Sequence, residues 1–225
     1  GSFDGGGYTI RNLRINRPGT SYQGLFGYVG ADSVLRNTRF RDVNLHGGQY
    51  SGGLAGRADG VIEDVSVTGD VLSGSSETGG LIGRASSAIL HRVSADVTVQ
   101  GTQYAGGLVG RLSDSSEMRH AYATGSVQGT DRVGGLVGYV YWGPIVSDSY
   151  SRATVSGTDL VGGLVGDFYL SGFVYRSYST GPVSGTGENV GGLIGKGGTV
   201  SHSYWDTQTS GQEESAGGEG RTTAQ

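Results

Sequence analysis

Along this chain apolar residues come in short bursts and never in long runs. Around Val93 they alternate with polar neighbours as Val93, Ala95, Val97 and Val99, the period-two pattern of a half-buried strand. Similar rows return as Ala121, Ala123, Gly125, Val127 and as Ser149, Ser151, Ala153, Val155. They predict inward-facing strands whose side chains are mostly small. Gly, Ser, Asp or Thr ends each burst, as strand ends require. No stretch of about 10–12 residues carries helical periodicity. An alternation of strands and helices is therefore excluded.

The bursts repeat. A Gly-Gly-Leu-x-Gly signature appears at Gly52–Gly56, Gly79–Gly83, Gly106–Gly110, Gly134–Gly138, Gly162–Gly166 and Gly191–Gly195, with a partial first copy at Gly24-Leu25-Phe26-Gly27. Successive signature leucines lie 29, 27, 27, 28, 28 and 29 residues apart. A second column holds Val99, Val127, Val155 and Val183, each followed by a polar residue, Gly and Thr. A third holds Ile62, Leu90, Met118, Val146, Val174 and Val200. One such unit cannot bury its apolar side alone, whereas stacked units can. The expectation is an all-β fold, a parallel β-solenoid of about seven to eight coils with three short strands per coil. Right-handed crossovers are the default, and strands ~4.8 Å apart make a rod of roughly 35–40 Å. The first coil drifts by about one residue between Leu35 and Leu45. Propeller blades need longer units of ~40–50 residues.

The paired glycines before each Leu remove Cβ where the chain bends or meets another sheet. In Leu108-Val109, however, two adjacent apolar columns meet, and strand alternation puts them on opposite faces. Either the strand bends there, or Phe26, Ala55, Ile82, Val109, Val137, Val165 and Ile194 form an exposed contact stripe. The repeat occupies residues 1–206, with Trp205 expected to cap the last coil. Residues 207–225 turn polar and read as a tail or linker, lying over that coil or leading to a further domain.

Composition narrows the picture. The chain of 225 residues has 46 Gly, 3 Pro and 0 Cys, with 35% hydrophobic and 16% charged residues. Scarce Pro and the lack of a Gly-x-y period exclude collagen, and the apolar content disfavours disorder. A net charge of -4 argues against nucleic acid or an anionic membrane as partner. No apolar run approaches the ~18 residues of a membrane span. With no Cys there is no disulfide framework or thiolate metal site. The absence of an initiating Met reads as a fragment of a longer polypeptide.

In a solenoid each column becomes a row of like side chains, so candidate ligand-binding residues are sought as rows. Tyr122, Tyr150 and Tyr178, continued by Tyr204, form an aromatic row that either stacks on itself or offers rings to a sugar. Arg57, Arg84 and Arg111 form a basic row. It either binds an acidic glycan or fans into water, offset by Asp59, Glu63 and Glu117. A third row, Asp64, Arg92, His120, Asp148, Arg176 and His202, pairs opposite charges between coils and fixes register. Asp131 and Asp159 follow Gly-Thr, where ordinary turn chemistry competes with a calcium site or a carboxylate pair. Trp142 is either an exposed contact or a plug in the stack. The histidines do not share a coil, which disfavours zinc.

The seven signatures, with Tyr122-Ala123-Thr124-Gly125-Ser126-Val127 and Ser203-Tyr204-Trp205-Asp206, resemble the GLUG-motif repeat family over nearly the whole chain. Such repeats occur in large secreted or surface-attached bacterial proteins, among them adhesins and some immunoglobulin-A-cleaving metallopeptidases. The resemblance implies an extracellular or cell-surface scaffold, with no catalytic residue and no cofactor carried over. Its partners would be surface glycans, proteins or adjacent domains of the same polypeptide. A carbohydrate-binding face is the alternative, and a polysaccharide-acting enzyme ranks last because the acids are scattered along turns.

Overall fold

Columns a repeat apart lie one above another, hydrogen-bonded edge to edge. The structure, a computed structural model, describes residues 1–225. Its strands form three parallel sheets of 17, 7 and 6 strands. The apolar column Phe3, Leu35, Ile62, Leu90, Met118, Val146, Val174, Val200 runs unbroken through the broad sheet. So does the column Ile15, Leu45, Val71, Val99, Val127, Val155, Val183. There are about seven coils. The drift in the first full coil is a β-bulge between Phe40 and Val43, with Asp42 at φ 58°. An extra residue there bends the strand without losing the ladder.

The two smaller sheets come from the signature itself. Short strands such as Gln103–Gly106 and Asp131–Gly134 form the first arm of an arch. Strands such as Val109–Ser113 and Val137–Tyr141 form the second. The Gly-Leu step is the bend between them. This answers the question of the two apolar columns. The signature leucines Leu54, Leu81, Leu108, Leu136, Leu164 and Leu193, and the residue after each, Ala55 to Ile194, are all fully buried. The chain bends at Leu, and no apolar stripe faces solvent there, apart from the partly exposed Leu25 and Phe26 at the first coil.

Each glycine column has its own contact. A Cβ on Gly106 would lie 2.7 Å from the nitrogen of Gly138, and one on Gly79 2.7 Å from that of Gly110. The two arms therefore pack backbone against backbone. A Cβ on the second glycine would strike the broad sheet: Val97 at Gly80, Ala123 at Gly107, Ser151 at Gly135 and Ser179 at Gly163. The small inward row of the broad sheet exists because the arch tip sits on it. That row is buried as expected except at Gly125, which takes φ 92° and is exposed.

Coils turn at non-glycine residues in the left-handed region. One corner column holds Asp64, Arg92, His120, Asp148, Arg176 and His202 at φ 43–55°. Beyond it, buried serines complete the hydrogen bonding between coils. Ser149 Oγ accepts from Ala121 N at 3.1 Å, and Ser177 and Ser203 repeat the contact one coil on. Buried polar groups of this kind need such partners.

At the far end Trp205 takes the register position of Ser179 and packs on Gly192. Its indole nitrogen donates to Gln212 O at 3.0 Å. After a short helix, Thr207–Ser210, the chain returns over the last coil. Gly192 N donates to Glu214 O at 3.0 Å, and Glu219–Arg221 adds a parallel strand to Tyr204–Asp206.

Two outcomes follow for chemical unfolding monitored by circular dichroism. Leu136→Ala removes a fully buried side chain and is expected to cost about 2–5 kcal/mol. Gly135→Ala forces a methyl against Ser151 and the Gly163 carbonyl and is expected to cost at least about 1–3 kcal/mol. A neutral Gly135→Ala would refute the arch-tip contact.

Candidate functional site

The tyrosine row is real but turned differently from a sugar platform. Tyr122, Tyr150, Tyr178 and Tyr204 are register partners on the broad sheet. The rings of Tyr122 and Tyr150 lie 5.1 Å apart and 3° from parallel; those of Tyr150 and Tyr178 lie 5.0 Å apart at 6°. Parallel rings this close overlap face on face, because rings laid edge to edge in one plane would need more room. The π-faces are spent on each other, leaving edges and hydroxyls outward. Arg152 lies 5.1 Å over Tyr150 and donates to the Tyr178 hydroxyl at 3.4 Å. Tyr204 does not extend the stack. Its ring lies 4.1 Å from the Arg221 guanidinium.

Arg57, Arg84 and Arg111 are also register partners, on the second arm. They do not simply fan into water. Beside them runs a corner column of left-handed residues, Tyr22, Tyr50, Glu77, Tyr104, Arg132 and Leu160. The two columns interlock. Arg111 lies over Tyr139 and Tyr141, Arg132 over Tyr104 and Tyr139, and Tyr104 stacks on Tyr139 at 4.8 Å. Burial, together with the carboxylate of Asp167, pushes the Tyr139 hydroxyl up to about 12. Cations held over aromatic faces in this way contribute about 0.5–2 kcal/mol each.

The acids that meet these arginines are only partly the expected ones. Asp59 forks onto Arg57 at 2.8 Å. Glu63, however, pairs with Arg92 and His91, and Glu117 with Arg119. The remaining charge is met by Glu77, only 3% exposed and 3.6 Å from Arg111. Burial raises its pKa, against the pull of Arg84, Arg111 and Arg57. Asp167 is likewise raised by burial although Arg132 donates to it at 2.9 Å. Arg84 forms no ion pair, and its Nε and the Glu77 Oε2 lack hydrogen-bond partners. Neither Glu77 nor Arg132 was singled out in the sequence. Their signal was present, since Tyr50, Glu77, Tyr104 and Arg132 recur at the repeat spacing.

The alternating charge row forms the expected pairs. Arg92 grips Asp64 at 2.7 and 2.8 Å, and Arg176 grips Asp148 at 2.6 and 2.7 Å. These hydrogen bonds hold both aspartates below the usual carboxylate range. Asp131 and Asp159 are neighbours in register, yet each is engaged elsewhere. Asp131 pairs with Arg132, while Asp159 accepts from the backbone and side chain of Asn189 at 3.2 and 3.1 Å. His91 and His120 come within 5.3 Å on adjacent coils. Trp142 plugs no gap. It is 59% exposed at a left-handed corner, grouped with Tyr169 at 52%, Leu170 at 65% and Phe173 at 36%.

The buried carboxylate yields a prediction about pH. Because the folded pKa of Glu77 is raised, the fold holds this proton where the unfolded chain has lost it. Stability from this group is thus present at low pH and lost as pH rises from the unfolded value of about 4.3 through the folded one. Glu77→Gln is therefore expected to melt at or above the parent at pH 7, with the advantage gone at pH 4. A variant that is weaker at pH 7 but matches the parent at pH 4 would show instead that the ionised pair stabilises the fold.

Comparison with known proteins agrees with this architecture. The GLUG motif matches at residues 47–72 and 101–128. Halomucin of Haloquadratum walsbyi (strain DSM 16790 / HBSQ001) is 41% identical over 71 residues, which is 32% of this chain but 1% of halomucin. The chain thus corresponds to a very small part of that relative. In fold it is similar to a crystal structure from Bacteroides ovatus described as a candidate immunoglobulin A1 protease. The TM-score is 0.63 at 20% identity, covering 98% of this chain and 68% of the other. The signatures at Gly52–Gly56 and Gly106–Gly110 lie inside the matched spans, and five more stand on the same ladder, so the chain carries the GLUG motif in two of its coils and repeats its signature in the others.

Proposed function

We propose that the chain is a rigid structural module of a secreted or surface-attached protein, and that it adheres through the aromatic corner around Trp142. The observation that carries the reading is the unbroken ladder. One register runs from Phe3 to Val200 through successive coils, so corner residues are held at fixed spacing on a stiff support. Likeness to a small segment of halomucin fits a module carried within a much longer polypeptide. The exposed group of Trp142, Tyr169, Leu170 and Phe173 is the kind of apolar surface that marks a contact site. Within it Tyr169 stacks on the adjoining Tyr141 at 5.7 Å, which gives the group a firm base. On this reading the module works by contact and presentation, not by chemistry.

Retention of module-coated beads on glycoprotein-coated and cell-coated surfaces tests the adhesive part. The double variant Trp142→Ser/Leu170→Ser is expected to lose most of the retention with its melting temperature unchanged, since both side chains are exposed. Retention equal to the parent, or none by the parent on any surface, would remove the aromatic corner from the proposal.

A further inference from the structure

The tyrosine stack ends at a cleft, and we infer that this cleft binds a single pyranose residue of a saccharide. The inference goes beyond the scaffold reading and does not depend on the aromatic corner. The cleft, of about 280 Å³, is lined by Tyr178, Thr180, Tyr204, Asp206, Arg221 and Thr223, among others. Ligand pockets begin at roughly 300 Å³, so the space suits one sugar ring and little more.

Its chemistry follows from where the stack stops. One face of Tyr178 is covered by Tyr150 at 5.0 Å. The next register partner, Tyr204, turns to Arg221 instead, and the cleft opens between these residues. Tyr178 therefore offers an aromatic surface that Tyr150 does not have free. A pyranose presents an apolar C–H face to such a ring and hydroxyls around its rim.

The rim is polar in a complementary way. Arg221 lies over Tyr204 with its Nε buried against the wall, and of its two outer nitrogens only Nη2 is engaged, donating to Glu219 at 3.3 Å. The guanidinium thus keeps donor capacity for ring oxygens. Thr180 contributes a hydroxyl. Asp206 is already saturated, accepting from Gln208 N at 2.9 Å, Thr209 N at 3.1 Å and Thr223 Oγ1 at 2.7 Å. It positions Thr223 and caps the short helix, so its charge is held within the wall and its pKa is lowered by those bonds.

Titration with methyl glucopyranoside, methyl galactopyranoside and methyl glucuronopyranoside, followed by NMR, tests the inference. Glucitol, which has hydroxyls but no ring face, serves as the control. At least one pyranoside is expected to shift signals of Tyr178, Tyr204 and Arg221 while Tyr122, at the other end of the stack, stays unmoved. Arg221→Met is expected to weaken the association about tenfold or more, which is about 1.4 kcal/mol. Arg221→Lys should fall between, and Tyr122→Ala should leave affinity unchanged. Trp142→Ser is expected to be without effect, which separates this site from the adhesive corner. No shift with any pyranoside, equal binding of glucitol, or full affinity in Arg221→Met at an unchanged melting temperature would overturn it.

Discussion

The whole structure depends on one close approach, that of two glycine backbones across the arch. Where Gly106 faces Gly138, and equivalently along the rod, the two arms touch without side chains between them. Only this lets about 28 residues close into a coil thin enough for the signature leucines from Leu54 to Leu193 to be buried. The second glycine of each pair extends the constraint to the broad sheet, which must offer Ala, Ser or Val below the arch tip. Interiors packed this densely tolerate little change in volume. Sequence freedom is thereby pushed to the corners and outer rows, and the charged and aromatic residues of the chain lie mostly there.

Stacking at strand spacing then decides what those outer rows can do. A row of tyrosines does not make a platform, because neighbours a strand apart consume one another's faces. The row gains stiffness, and its chemistry moves to the end where the stack is broken. A row of arginines behaves otherwise. Like charges this near repel in water and more so where solvent is excluded, so Arg57, Arg84 and Arg111 are interleaved with Glu77, Tyr28 and Tyr139. Opposite charges on neighbouring coils need no third party, and Asp64 with Arg92 simply closes.

This difference explains how much was legible in the sequence. Relations between residues a full repeat apart can be counted directly. That is why the apolar columns, the tyrosine and arginine rows and the Asp64–Arg92 and Asp148–Arg176 pairs could be read before any coordinates. Relations across a coil have no such spacing. Glu63 and Glu117 looked near the arginine row in number, yet they lie on the broad sheet, around a corner from it. Glu77 faces the row because the arch folds back on itself, a fact that depends on the bend at Leu81 and not on periodicity. Trp205 was legible as a cap because it breaks the small inward row. The cleft beside it was not, since it is built partly from Arg221, a residue outside every column.

The direction of the backbone hydrogen bonds has a mechanical consequence. In each coil they point along the rod, so tension applied from end to end pulls on them lengthwise instead of shearing whole strands past one another. Bonds loaded in that manner open a few at a time. A stretched rod would therefore give way coil after coil, each releasing about 28 residues of chain, on the order of 90–100 Å at 3.3–3.6 Å per residue. An object that lengthens in such steps absorbs a sudden load gradually, a useful trait in a tether exposed to flow.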